Sequence, residues 1–178
     1  SNVTEGPDNP TNNQSATFTF SSNEDDSNFE CTLDSSSWSS CSSPKNFTDL
    51  SEGNHSFSVR ATDQAGNTGN AVYWNWTIDL NPPLASINSG PGNPTNQTTA
   101  TFEFSSSESV STFECSLDSS VWSSCSSPKN YTGLSDGNHS FLVRATDQAG
   151  NTGNTSYWNW TIDSTGPVIS ITTGPDNP

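Results

Sequence analysis

The sequence predicts an all-β chain of tandem β-sandwich domains, and three observations carry that reading. First, Gly6-Pro7, Gly90-Pro91 and Gly174-Pro175 recur every 84 residues, and residues 6–79 align on 90–163 without a gap at 57 of 74 identical positions. Second, the apolar residues recur at every second position, the period of a strand with one buried face. Third, clusters of Gly, Pro, Asn, Asp and Ser separate these runs at roughly ten-residue spacing, which suits short antiparallel strands.

The elements follow in order. A first short strand is expected near 2–5. Ala16, Phe18 and Phe20 alternate with Thr17 and Thr19, giving a strand near 15–21. Phe29, Cys31 and Leu33 alternate with Glu30 and Thr32 near 28–34, and short strands are expected near 38–42 and 45–49. His55, Phe57, Val59 and Ala61 mark the inward positions of a strand near 54–62, and Trp74, Trp76 and Ile78 those of one near 72–79. The second repeat follows at an offset of 84. Differences between copies test the faces: Ser58 becomes Leu142 and Ser37 becomes Val121, as outward positions allow. Val72 becomes Ser156, which argues for a later start of that last strand. The domains therefore run 1–80 and 81–164, with short Pro-containing linkers at 80–83 and 164–167. Residues 165–178 are expected to be the first strand of a third repeat. That restart, with the absence of Met, leads to the expectation of a window from a longer array.

Composition excludes several function classes. Four Lys+Arg stand against nineteen Asp+Glu, a net charge of −15, so there is no basic footprint for nucleic acid. No apolar run approaches the roughly 20 residues of a membrane helix, and membrane insertion is not expected. Only 28% of residues are hydrophobic, yet six Trp and nine Phe argue against disorder. No Gly-x-Ser-x-Gly, His-Glu-x-x-His or phosphate loop is present, and the expectation is that the chain is not an enzyme.

Cys31 and Cys41 enclose a turn, as do Cys115 and Cys125. The spacing allows one cross-strand disulfide per hairpin, and two Cys with one His per repeat lack a structural zinc spacing. An even cysteine pair per domain points to an oxidising, extracellular or cell-surface setting.

Ten asparagines begin Asn-x-Ser/Thr triplets: Asn2, Asn13, Asn46, Asn54, Asn75, Asn96, Asn130, Asn138, Asn154 and Asn159. Three pairs recur between the copies, and Asn13 and Asn96 are displaced by one register position yet each keeps its triplet. Alternation points Asn75 and Asn159 away from their flanking Trp. The triplets make covalent N-linked glycans the expected modification; the competing reading is a Ser/Thr/Asn-rich surface that contains triplets incidentally. No other cofactor is expected.

The motifs Phe-Glu-Cys-x-Leu-Asp (29–34), Trp38, Cys41, Ser43-Pro44, Leu50-x-x-Gly53-x-His55-x-Phe57-x-Val59-Arg60-Ala61-x-Asp63 and Ala65-Gly66-Asn67 span nearly the whole repeat. In these the chain resembles the tandem immunoglobulin-like repeats of large extracellular microbial proteins, found in adhesin stalks and surface fibres. The resemblance implies immunoglobulin-like sandwiches in an extended array, most often spacers, with partners among neighbouring repeats of the same chain, other fibrils or cell-surface material. It places His55 and His139 at the corner before the sixth strand, as packed residues rather than ligands or bases. It also places the loops after the second and sixth strands at the end facing the previous domain. Calcium could then be held by Glu108 and Asp147 near Asp79 and Asn81, and in the first repeat Glu24-Asp25-Asp26 would lie near Asp63. Ser109-Val110 replace Asp25-Asp26 in the second copy, and the competing reading is a solvated turn in which Asp63 bonds its own loop. The function expected is the shaft of a glycan-coated fibril or stalk. The rival is an adhesin-type module binding through the loops that differ, 23–28 against 107–112.

Overall fold

Alternation along each strand buries one face, and seven such strands per repeat close two sheets over one apolar layer. A computed structural model describes residues 2–172. Two compact units divide at Pro83/Leu84, with residues 146–152 grouped with the first. In the first, the strands are β1 (Asn2–Glu5), β2 (Ala16–Ser21), β3 (Asn28–Leu33), β4 (Ser39–Cys41), β5 (Lys45–Phe47), β6 (Gly53–Thr62) and β7 (Val72–Ile78). The remaining strands are β8 (Ala85–Ser89), β9 (Ala100–Ser106), β10 (Thr112–Leu117), β11 (Ser123–Cys125), β12 (Lys129–Tyr131), β13 (Gly137–Thr146) and β14 (Ser156–Ile162). No helix forms among the described residues.

The first repeat folds as a three-stranded sheet ordered β1-β2-β5 against a four-stranded sheet ordered β4-β3-β6-β7, and the second repeats this with β8-β9-β12 and β11-β10-β13-β14. The seven strands expected in each repeat are all present. The last begins at Val72 and at Ser156, not later: the position is only half-buried, and the Ser156 hydroxyl donates to the Ala85 carbonyl at 2.5 Å, so a polar residue is satisfied there. Val121 is exposed as expected. Ser58 lies on the outward side of β6 yet is buried, between its cross-strand neighbours Thr32 and Tyr73. Residues 163–172 form no strand, and Val168, Ile169 and Ile171 are exposed. A first strand needs a second to pair with, and the sequence holds no third copy of 16–21. The rest of the expected third-repeat strand, 173–178, lies outside the described residues.

The core of the first sandwich is aromatic. Phe18 of β2 stacks on Phe57 of β6 with ring centroids 4.1 Å apart, and Trp76 leans on Phe18 at 5.2 Å. Phe102, Phe141 and Trp160 reproduce this arrangement. The disulfides Cys31–Cys41 and Cys115–Cys125 are formed, each with Cα atoms 5.9 Å apart. The register pairs Cys31 with Ser39 and Cys41 with Phe29, so the bridge runs diagonally across β3 and β4. Closing a loop of this length stabilises a domain by about 3 kcal/mol in the chain-entropy model.

Gly6 sits against the face of Trp74, where a Cβ would lie 2.6 Å from the ring, and Gly90 meets Trp158 in the same way at 2.8 Å. Half-buried Trp74 and Trp158 thus close over the glycine, and the Trp158 indole N–H donates to the Pro91 carbonyl at 3.2 Å. Gly6→Ala should destabilise the first sandwich by about 1–3 kcal/mol through overpacking. Gly69→Ala, whose Cβ would meet only the Ala61 carbonyl oxygen at 3.8 Å, should change stability by less than about 0.5 kcal/mol. Urea unfolding of the two variants side by side checks both values.

Candidate functional site

The outer face of the four-stranded sheet is built from the residues that alternate with the core positions of β6 and β7. Asn54, Ser56, Asn75 and Thr77 point outward because His55, Phe57, Trp76 and Ile78 point in. The register sets Asn54 opposite Thr77 and Ser56 opposite Asn75, and Asn138, Ser140, Asn159 and Thr161 repeat it. A shallow depression of 470 Å³ is lined by Asn9, Asp34, Asn54, His55, Asn75 and Trp76, and its counterpart in the second repeat measures 650 Å³.

The corner histidine sits under this face. Asp34 and Ser35 adopt positive φ in a tight turn closed by the Ser36 N–H donating to the Leu33 carbonyl at 2.9 Å. That turn swings the Asp34 carboxylate over β6. One oxygen accepts the Ser56 backbone N–H and the other meets His55 Nδ1, both at 2.8 Å. His55 Nε2 meets the Ser51 carbonyl at 2.7 Å, and the ring stacks on Trp76 at 5.3 Å. His139 has the same partners in Asp118, Ser135 and Trp160. A carbonyl and a carboxylate accept, so these partners favour the protonated ring, in which both nitrogens donate. Burial alone would lower the His55 pKa; the Ser51 carbonyl and the Asp34 carboxylate outweigh it and raise the pKa above 6.5. For His139 the Ser135 carbonyl is the largest influence, and with Asp118 it overcomes burial to raise the pKa likewise. These histidines are packed corner residues, and what sequence reading missed was the pair of acceptors that each ring meets.

All ten triplet asparagines are exposed. Seven lie on strands: Asn2, Asn46, Asn54, Asn75, Asn130, Asn138 and Asn159. Asn13, Asn96 and Asn154 lie in loops. Of the other ten described asparagines only Asn28 and Asn88 lie on strands.

The carboxylates of Asp63 and Asp147 each bond within their own turn. Asp63 accepts the Asn67 backbone N–H and side-chain amide, each at 2.8 Å, and the Asn67 amide holds the carboxyl below its ordinary range. Asp147 binds Asn151 in the same way at 2.8 and 2.9 Å. Asp79 accepts the Asn81 N–H at 3.0 Å, and the Glu108 N–H donates to the Ser106 hydroxyl at 3.2 Å. Glu24 and Asp63 share one hollow of 180 Å³, and Gln64 reaches Asp26 at 3.4 Å. Among the described residues, Glu24, Asp25, Asp26 and Asp63 do not supply three carboxylates within ligating distance of one another.

The raised histidine pKa values fix a sign. Their contribution to stability is full below about 6.5, the unfolded value, and is lost as pH rises through the higher folded value. The melting temperature should therefore fall between about pH 6 and pH 9, by about 4–8 °C for each kcal/mol lost. The chain's two histidines are the only side chains that ordinarily titrate between pH 5 and 8. In the double variant His55→Phe/His139→Phe the slope over that range should vanish, which calorimetry across the pH series would show.

Comparison with known proteins addresses the fold. A model of the bacterial Ig-like domain family (group 3) matches residues 128–177. No curated protein matches the sequence. Among solved structures, the fibronectin(III)-like modules of Clostridium thermocellum CbhA superpose with a TM-score of 0.55 at 16% identity, covering 90% of this chain and 93% of theirs. A 1.5-MDa bacterial ice-binding adhesin gives 0.47 at 14% identity over 85% of this chain and 58% of that one. The central fibronectin-III array of RIM-binding protein gives 0.36 at 14% identity over 98% and 75%. The CbhA superposition and the observed sheet order establish an immunoglobulin-like, fibronectin-III-like β-sandwich fold.

Proposed function

We propose that this chain is a structural, non-catalytic stretch of an extracellular fibril or surface stalk whose sandwiches carry a coat of N-linked glycans. The observation that supports it most is the placing of the triplet asparagines. Asparagine is depleted in strands, yet seven of these ten stand on strands, against two of the ten other described asparagines. A strand also brings residue i+2 to the same face, so in the triplets at Asn2, Asn54, Asn75, Asn138 and Asn159, which lie wholly on strands, the Ser or Thr is displayed beside its Asn. The coat would screen strand edges from pairing with other chains. The disulfides suit an oxidising compartment, and the matched bacterial Ig-like family is consistent with a surface protein.

The native protein should release sugar on treatment with an amide-cleaving glycosidase, converting several of the ten Asn to Asp by mass spectrometry. Ten unmodified asparagines would remove the coat from this reading. Deleting residues 85–168 should shorten the native particle in micrographs and leave cell attachment unchanged. Loss of attachment would instead favour the loop-binding adhesin.

A further inference from the structure

The triplets differ in how firmly the fold holds them. In Asn54-His55-Ser56 and Asn75-Trp76-Thr77 the middle residue is buried, His55 at 7% and Trp76 at 2% exposure, and His139 and Trp160 match them at 8% and 1%. The two triplets also face each other antiparallel across β6 and β7, Asn54 opposite Thr77 and Ser56 opposite Asn75. Thr77 Oγ1 donates to Asn54 Oδ1 at 2.9 Å, and Thr161 Oγ1 to Asn138 Oδ1 at 2.9 Å. The hydroxyl of one triplet is thus committed to the acceptor amide of the other. The Thr77 backbone N–H is held by Asn9 Oδ1 at 2.9 Å, and that of Thr161 by Asn93 Oδ1 at 3.0 Å. In Asn13-Gln14-Ser15 and Asn96-Gln97-Thr98 the whole triplet lies outside the strands and the middle residue is exposed.

Sugar transfer to asparagine makes demands that these strand positions do not meet. The amide Nδ2 attacks the anomeric carbon of a prenyl-phosphate-linked oligosaccharide. A C–N bond forms, the bond from that carbon to the phosphate oxygen breaks, and the prenyl phosphate leaves with the electron pair. The Nδ2 proton passes to a base on the transferase. An enzyme that reads Asn-x-Ser/Thr must engage the amide and the hydroxyl of one triplet together and close around its backbone. On β6 and β7 the hydroxyl of Thr77 is taken, backbone groups lie in the ladder, and the middle side chain is anchored in the core.

We propose that Asn54, Asn75, Asn138 and Asn159 are glycan acceptors only in the unfolded chain, so that transfer there must precede the pairing of β6 with β7 and of β13 with β14. Asn13 and Asn96 remain acceptors after folding. The order of events rests on the glycan-coat reading for its setting, but acceptor competence is a property of the chain that can be measured apart from native occupancy.

The full chain, made in a host without the modification and folded with both disulfides, is offered to a purified oligosaccharyltransferase with its lipid-linked donor. The same chain, reduced and alkylated to keep it open, is offered in parallel, and each site is followed by peptide mass spectrometry. The loop sites should react at similar rates in both forms. The four strand sites should react in the open chain and slow by on the order of a hundredfold or more in the folded one, because core strands open rarely. Strand sites that react in the folded chain as fast as Asn13 and Asn96 would overturn the proposal, as would strand sites inert in the open chain. An unglycosylated native protein would instead count against the coat and leave the measured acceptor order standing.

Discussion

Phe18 lies nearly flat on Phe57, and Trp76 closes the same cluster from the side. These three rings join the two sheets, and Phe20, Phe29, Phe47 and Trp74 pack around them. The inward positions on β2, β6 and β7 are spent on them, so every alternate residue on those strands faces outward by geometry. A small sandwich buries a modest share of its surface, which gives the disulfide on β3 and β4 a large relative role. The absence of a Cβ at Gly6 has the same logic, since it lets Trp74 close over the chain.

The histidine corner links this core to the polar surface. His55 stacks on Trp76 on one side and on the other is held by the Asp34 turn and the Ser51 carbonyl. A buried cation is costly unless its protons are all taken, and here each ring nitrogen meets an acceptor. The turn, the corner and the core ring are thus one unit, and its copy at His139 shows that the arrangement belongs to the repeat. Directly outside it lie the paired Asn-x-Ser/Thr triplets. Their middle residues are His55 and Trp76 themselves, so the positions that display the asparagines are fixed by the residues that make the core.

This coupling gives the low hydrophobic content a physical meaning. Few apolar residues suffice because they are concentrated on one side of each strand, and the other side is free to be Ser, Thr, Asn and acid. Such a surface does not by itself identify a ligand. Asp63 and Asp147 bond to Asn67 and Asn151 within their own turns, which accounts for their conserved spacing between the two copies in structural terms.

The sequence alone determined the repeat, the strands and the inward faces, because period-two alternation is a local property of the chain and was doubled by a second copy. It also determined the cysteine pairing, since Cys31 and Cys41 flank one turn and have no competing partner within the repeat. Only the tertiary structure decided the rest. The burial of Ser58 on an outward face depends on its neighbours Thr32 and Tyr73 from two other strands. The acceptor at His55 Nδ1 is Asp34, which reaches it from a turn 21 residues earlier. The pairing of Asn54 with Thr77 depends on a register set across the long connection between β6 and β7. Each of these is a contact between segments distant in sequence, and alternation says which way a side chain points but not what it meets.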